Sequence, residues 1–287
     1  MRLASFRTRD AESYGVVDGD RVIDVGYRLV SQCPSLRLAV AALGVRALEE
    51  AARASEVWHR VVDVIWLPPI PDPLKVICVG LNYRAHVMET GRQPPTRPVL
   101  FTRFANSQVG HEAELRHPGI SSKYDYEGEL AVVIGRRTHR VPAELALESV
   151  LGYTCFNDGS VRDWQEHSTH FTAGKNFVAS GACGPWIVTA DEIPDPRVLR
   201  LETRVNGETW QRAPVSDLVF SVPDLISYCS MFTELLPGDV IATGTPGGVG
   251  AWRKPVYWLK IGDVVEVEIS GIGVLRNRVA DSDQPQR

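Results

Sequence analysis

A chain of 287 residues with a formal net charge of −4 and an ordinary globular composition can bury a sizeable core, as one large domain or a large domain with a small appendage. A sequence pI near 6.0, with no basic cluster interleaved with aromatics, argues against a nucleic-acid binder, so partners are expected to be small molecules or copies of itself. No apolar run approaches the ~20 residues of a membrane helix; Arg2, Arg7, Arg9, Asp10 and Glu12 leave no room for a secretory segment, and scattered cysteines without a C-x-x-C pair read as reduced thiols of a cytoplasmic protein.

In chain order, Gly15 to Ile23 reads as a hairpin around an Asp-Gly turn. Apolar residues from Ser35 to about Trp58 keep helical spacing, with Gly44 breaking the segment into two shorter helices. The run Leu67-Pro68-Pro69-Ile70-Pro71-Asp72-Pro73 can hold neither a helix nor a central strand. It sets the expected boundary between a small N-terminal α/β module, residues 1–66, and a main domain, residues 67–287.

Lys75 to Gly80 is a short buried strand that hands over to a helix, with Asn82 placed to cap it. His86 and Glu89 then stand at i and i+3, on one helix face. A carboxylate there fixes the imidazole tautomer and raises its basicity, which makes a proton-abstracting pair. The alternative is an ordinary ion pair on an exposed helix. The Gly/Pro-rich stretch Thr90 to Thr96 is expected to be a mobile loop.

The most informative stretch is Tyr124-Asp125-Tyr126-Glu127-Gly128-Glu129 at the head of the apolar run Leu130 to Ile134. Alternation along a strand points Glu127 and Glu129 the same way. Like charges side by side persist either where water screens them or where a cation sits between them. Asp158, at the Asn157-Asp158-Gly159 turn that ends another β-prone run, supplies a third carboxylate. An all-oxygen, open site of this kind suits Mg²⁺ or Mn²⁺ rather than zinc. Arg162 and Gln165 follow closely, a fork-shaped carboxylate binder and an amide, or else a salt-bridged helix start. Lys175, after Gly174 in a polar loop, could hold an anion or be solvated.

The remainder reads as mainly β, with hairpins at Asn206-Gly207 and between Val264–Ile269 and Gly273–Arg276, and helices only at Pro142–Val150 and Val222–Phe232. The turn Thr243 to Gly250 after a strand presents backbone N–H groups to anions, but it lacks the Gly-Lys-Ser/Thr ending of a P-loop. Gly271-Ile272-Gly273 is no dinucleotide fingerprint, and no G-x-S-x-G elbow occurs. The class is β-rich α+β.

Together these stretches resemble the fumarylacetoacetate hydrolase family from about Lys75 to about Val279. The pattern comprises Asn-Tyr-x-x-His-x-x-Glu at Asn82 to Glu89, Glu-x-Glu at Glu127/Glu129, and Asn157-Asp158 followed by Arg162-Asp163-x-Gln165. Gly174-Lys175, Pro237-Gly238-Asp239 and Thr243 to Pro246 complete it, all in order. The resemblance implies a mixed β-sandwich roll behind a small N-terminal domain, usually a homodimer.

It further implies Glu127, Glu129 and Asp158 as Mg²⁺ or Mn²⁺ ligands, and His86 and Glu89 as a water-activating dyad on a closing lid. Lys175 would steady an oxyanion, Thr245 would bind the substrate carboxylate, and Arg162, Gln165 and Tyr83 would line the pocket. Departures at Asn176-Phe177-Val178, and the added imidazoles of His167 and His170, bear on the distal part of the substrate. The expected activity is metal-dependent hydrolysis of a C–C bond in an acylpyruvate or β-diketo acid from aromatic or sugar-acid breakdown. The alternatives are oxaloacetate decarboxylation, isomerisation or hydration of a 2-oxo-alkene acid, and a catalytically silent binding protein on this fold.

Overall fold

The computed structural model describes residues 1–9 and 11–281. Two sheets carry the fold. The larger has twelve strands; its main path runs Trp58–Arg60, Arg21–Asp24, Glu12–Asp18, Arg2–Arg7, Gly181–Thr189, Val150–Asn157, Gly128–Ile134, Val240–Ala242, Val76–Gly80 and Val99–Arg103. The smaller has five, in the order Glu208–Pro214, Arg200–Val205, Val264–Ile269, Gly273–Asp281 and Leu115–His117. Most pairs are antiparallel, but Val240–Ala242 runs parallel to Val76–Gly80, which makes the large sheet mixed.

Strand Gly128–Ile134 lies at the centre and is buried along its whole length. Leu130, Val132 and Ile134 share a core with Leu201, Val265, Val267 and Leu275 of the smaller sheet. Ala131 and Val133 face the other way, into a core closed by Leu36, Ala39, Val40 and Leu48 of helix Leu36–Arg53. A strand covered on both faces reads as a continuous apolar run, as this one does.

The sheet crosses the expected boundary after residue 66. Arg2–Arg7 pairs with Glu12–Asp18 on one side and with Gly181–Thr189 on the other. Pairing both edges removes an exposed row of backbone groups. Ser5 Oγ donates to Pro69 O (2.8 Å), so the proline segment is fastened to the sheet it leaves. The N-terminal residues thus extend the central sheet rather than forming a body with a sheet of their own.

Local chemistry explains most element ends. Helix Leu36–Arg53 is kinked where Gly44 takes φ 76°. It stops before Trp58, which starts a strand. Ser221 and Asp224 form a reciprocal capping box at the start of helix Val222–Phe232. Asn206 and Gly207 both have positive φ, as a two-residue hairpin of this twist requires. Ala143–Ser149, expected as α-helix, winds as a tighter 3₁₀ segment packed on helix Val222–Phe232.

Candidate active site

Glu129 sits in the central strand opposite Phe156, and Glu127 stands just ahead of that strand. The neighbouring strand ends at Asn157, where two bonds tie the chains together. Asp158 N–H donates to Glu127 O (2.8 Å), and Glu127 N–H donates to Asn157 Oδ1 (3.1 Å). Glu127, Glu129 and Asp158 each present an oxygen within 4.8 Å of the others, and all are buried.

Buried carboxylates at this spacing need cations. Lys175, at the end of the short helix Thr172–Lys175, donates Nζ–H to Glu127 Oε2 (2.8 Å) and to Asp158 Oδ2 (2.6 Å). Arg162 places an Nη 2.6 Å from Glu127 Oε1. Its Nε donates to Asp125 Oδ2 (2.9 Å) and another Nη–H to Gln165 Oε1 (3.0 Å). Arg103, with no exposed side-chain surface, donates to Asp158 Oδ1 (2.6 Å) and is pinned by Ser107, Gly159 and Ser180.

The carboxyl groups respond unequally. Burial opposes ionisation of Glu127, but the Lys175 ammonium and Arg162 guanidinium outweigh it and hold the group far below the usual carboxylate range. Lys175 is raised in turn, because Asp158 and Glu127 more than offset its desolvation. Among the described residues Glu129 forms no ion pair of its own. Burial and the charges of Asp158 and Glu127 push its carboxyl well above the usual range, against the Gly244 N–H that donates to Oε2 (2.9 Å) and the charge of Lys175.

An oxygen-only donor set with one uncompensated carboxylate accommodates a hard divalent cation held by Glu127, Glu129 and Asp158. Among the described residues no histidine or cysteine joins this cluster, which disfavours zinc.

The His86–Glu89 pair is built separately. Helix Arg84–Glu89 sets His86 Nδ1 3.0 Å from Glu89 Oε2, and Glu89 Oε1 accepts the Gly248 N–H (2.9 Å). A carboxylate only accepts, so Nδ1 carries the proton and Nε2 keeps its lone pair. His86 is 7 % exposed and lies on the wall of a cavity of about 730 Å³ that also reaches Glu127, Glu129, Arg162, Gln165, Lys175 and Thr245.

Several expectations change. Tyr83 is fully buried and is not among the residues that line the cavity; it directly precedes helix Arg84–Glu89, and its hydroxyl has no hydrogen-bond partner among the described residues. Asn82 does not cap that helix. Its side chain instead donates to Phe220 O (3.0 Å) and Thr243 O (2.8 Å). Thr245 lines the cavity, but its hydroxyl donates to Gly128 O (2.9 Å) and accepts from Gln211 (2.8 Å). It would have to turn to donate to a substrate carboxylate. His167 lies on the wall, its ring 4.9 Å from Trp164, whereas His170 does not.

The glycine-rich turn does bind anions, and they are the protein's own. Its amides at Gly244, Gly248, Gly250 and Ala251 serve Glu129, Glu89 and Asp125. Gly248 has φ +100°, and a Cβ there would meet Trp210 O at 2.1 Å, so glycine is required.

Arg103, Asp125 and Gln211 escaped the sequence reading. Asp125 shares the alternation of Glu127 and could have been found; Arg103, 55 residues from Asp158, offered no local signal.

Residues 75–280 match the Fumarylacetoacetate (FAA) hydrolase C-terminal family. The chain is 38% identical over 291 residues to a mitochondrial oxaloacetate tautomerase of Xenopus laevis, covering 97% of this chain and 90% of the relative. Among solved structures it is similar to a fumarylacetoacetate hydrolase from psychrophilic Exiguobacterium antarcticum, with TM-score 0.83 and 35% identity over 98% of this chain and 99% of that one. It is also similar to a maleylpyruvate hydrolase from Sphingobium sp. SYK-6 in complex with manganese(II) and pyruvate, with TM-score 0.80 and 28% identity over 99% and 100% of the two chains. With its carboxylates, dyad and lysine standing on this fold in the expected order, the chain belongs to the fumarylacetoacetate hydrolase family.

Proposed function

We propose that this protein is a divalent-metal-dependent enzyme that moves a proton on a 2-oxo acid, with keto–enol tautomerisation of oxaloacetate as its reaction. The observation that carries this reading is the His86–Glu89 pair, 3.0 Å apart, on one cavity with a buried carboxylate triad. Likeness to an oxaloacetate tautomerase over 97% of the chain supports it.

When bound at Glu127, Glu129 and Asp158, Mg²⁺ or Mn²⁺ supplies Lewis acidity toward the 2-oxo group. His86 Nε2 takes a proton from C3 of the keto form, and Glu89 stabilises the imidazolium that results. The proton returns to the 2-oxo oxygen, so the enol forms with no water consumed. Lys175 has three N–H groups and uses two on Glu127 and Asp158, leaving one for the developing negative charge.

Hydrolysis of an acylpyruvate is the second reading. A cavity of about 730 Å³ has room for more than a four-carbon acid, and the likeness to a maleylpyruvate hydrolase favours it. The same Nε2 would then deprotonate water, which attacks the remote carbonyl. Simple decarboxylation would leave the dyad idle.

The deciding experiment follows enol absorbance in oxaloacetate solutions, and in parallel cleavage of acetylpyruvate and fumarylpyruvate, with purified protein and saturating Mg²⁺ or Mn²⁺. Faster enol–keto exchange, lost in His86→Ala, is the expected result. Cleavage without such exchange moves the assignment to hydrolysis.

A further inference from the structure

The segment that carries the dyad is fastened ahead of its helix by one buried side chain. Asn82 has no exposed surface, and its amide is committed to backbone on both faces. Nδ2–H donates to Phe220 O (3.0 Å) and to Thr243 O (2.8 Å), and Oδ1 accepts the Phe220 N–H (2.8 Å). Its own carbonyl accepts the Val219 N–H (2.7 Å), and the next residue, Tyr83, bridges to Leu218. An aspartate of the same size could only accept and a leucine could do neither, so two carbonyls and an N–H around one side chain call for an amide.

The glycine-rich turn makes this approach possible. Gly244 has φ +108°, and a Cβ there would stand 2.8 Å from Asn82 Cβ. Further along, a Cβ on Gly247 would stand 3.6 Å from Ala85 C and 3.5 Å from Glu89 Oε2, and the Gly248 N–H reaches Glu89 Oε1. Helix Arg84–Glu89 therefore lies against residues 243–248, tied to them through Asn82 at its start and Glu89 at its end. The same stretch serves the carboxylate centre through the Gly244 N–H on Glu129 and Thr245 Oγ1 on Gly128 O.

We infer that Asn82 is a positioning residue for the reaction, setting where His86 Nε2 stands relative to the carboxylate centre. The inference rests on the reading of His86 as the base. Asn82 is not among the residues that line the cavity, so it acts through the helix and not by touching substrate. A base must stand within hydrogen-bond reach of the proton it takes. Misplacing it by about 1 Å costs on the order of 10²-fold in rate.

The test is a double-mutant cycle on enol–keto exchange of oxaloacetate with Mg²⁺-loaded wild type, Asn82→Ala, His86→Ala and the double variant. Asn82→Ala should lower kcat by about 10²-fold, with KM and calorimetric Mg²⁺ affinity unchanged. Asn82→Ser, which can still donate to one carbonyl, should recover part of the loss. The double variant should be no slower than His86→Ala alone, because misplacing an absent base has no further effect. An unchanged kcat in Asn82→Ala, additive losses in the cycle, or a matching loss of Mg²⁺ affinity overturns the positioning role and leaves the reading of His86 standing. Urea titrations that find both Asn82 variants unfolded without denaturant overturn it too, since Asn82 would then be needed for the fold itself. A His86→Ala variant as fast as wild type, or a wild type that does not accelerate the exchange, overturns both.

Discussion

The dyad and the carboxylate centre share a cavity but are built in opposite ways. His86 and Glu89 sit within one six-residue helix, and their geometry follows from the i,i+3 spacing. Glu127, Glu129 and Asp158 come from two paired strand ends, with counter-charges brought from Arg103, Arg162 and Lys175. The first is a partly open pair suited to exchanging a proton with substrate, Glu89 being 23% exposed. The second is a dry electrostatic frame, where Asp158 and Arg103 have no exposed side-chain surface. The turn after Val240–Ala242 connects them, since its amides serve Glu89 on one side and Glu129 and Asp125 on the other.

Breaking the frame should cost most. Exhaustive chelation, or Glu129→Gln, is expected to abolish turnover, with Mg²⁺ or Mn²⁺ restoring only the chelated wild type. The same substitution should stabilise the metal-free protein. Glu129 is raised in the folded state, so the fold binds more protons than the unfolded chain once pH exceeds about 4.3. Stability of the metal-free wild type therefore falls as pH rises from there, and Glu129→Gln should flatten that decline in urea titrations.

Breaking the dyad should slow chemistry without disturbing the frame. His86→Ala is expected to lower kcat by about 10²–10⁴-fold, the usual worth of a positioned base. Glu89→Gln should lose less, because the imidazole remains and only its orientation and basicity suffer. Metal affinity measured by calorimetry should stay at the wild-type value in both. A large loss of metal affinity in His86→Ala would show that the two halves are one unit.

Arg103 separates frame from chemistry by a third route. Arg103→Met leaves Asp158 buried opposite a neutral side chain, and removing one partner of a buried pair costs about 3–5 kcal/mol. Urea denaturation should register that loss, and calorimetry should show weaker metal binding. Arg103→Lys should recover part of both.

The smallest effect uses an imidazole outside the site as a control. Burial holds His111 below its ordinary range, and its Nδ1 accepts the Arg276 N–H (3.1 Å). The unfolded chain therefore binds more protons near its own His range, and stability drops as pH falls through about 6.5. The slope contributed is at most ~1.4 kcal/mol per pH unit. His111→Asn keeps an acceptor without a titrating ring and should flatten melting temperature between pH 5 and 7, with kcat unchanged.

The contrast also marks what could be read from residues alone. The central strand was legible because a strand buried on both faces must be apolar without interruption, so two acids at the head of such a run stand out. Hairpins at Asn206-Gly207 and at the C-terminal end were legible because backbone chirality restricts which residues turn there. The burial of Tyr83 was not legible, since its place in the motif says nothing of the direction its ring takes ahead of a helix. At the division after residue 66 the proline run was legible as a break in chain path, whereas the continuation of the sheet across it was not.

The sequence by itself determined the strand and helix periods, the His86–Glu89 spacing and the Glu127/Glu129 alternation, all of which depend on spacing within a few residues, whereas Asp158 reaches them through strand pairing. Only the tertiary structure decided which cation meets which carboxylate. Arg103 lies 55 residues from Asp158, and Lys175 lies 48 from Glu127. Such pairings depend on which strand ends the sheet brings side by side. It likewise turned the glycine-rich amides inward to Glu89, Asp125 and Glu129. Electrostatic energy depends on distance through space and on burial, and neither is a property of local sequence.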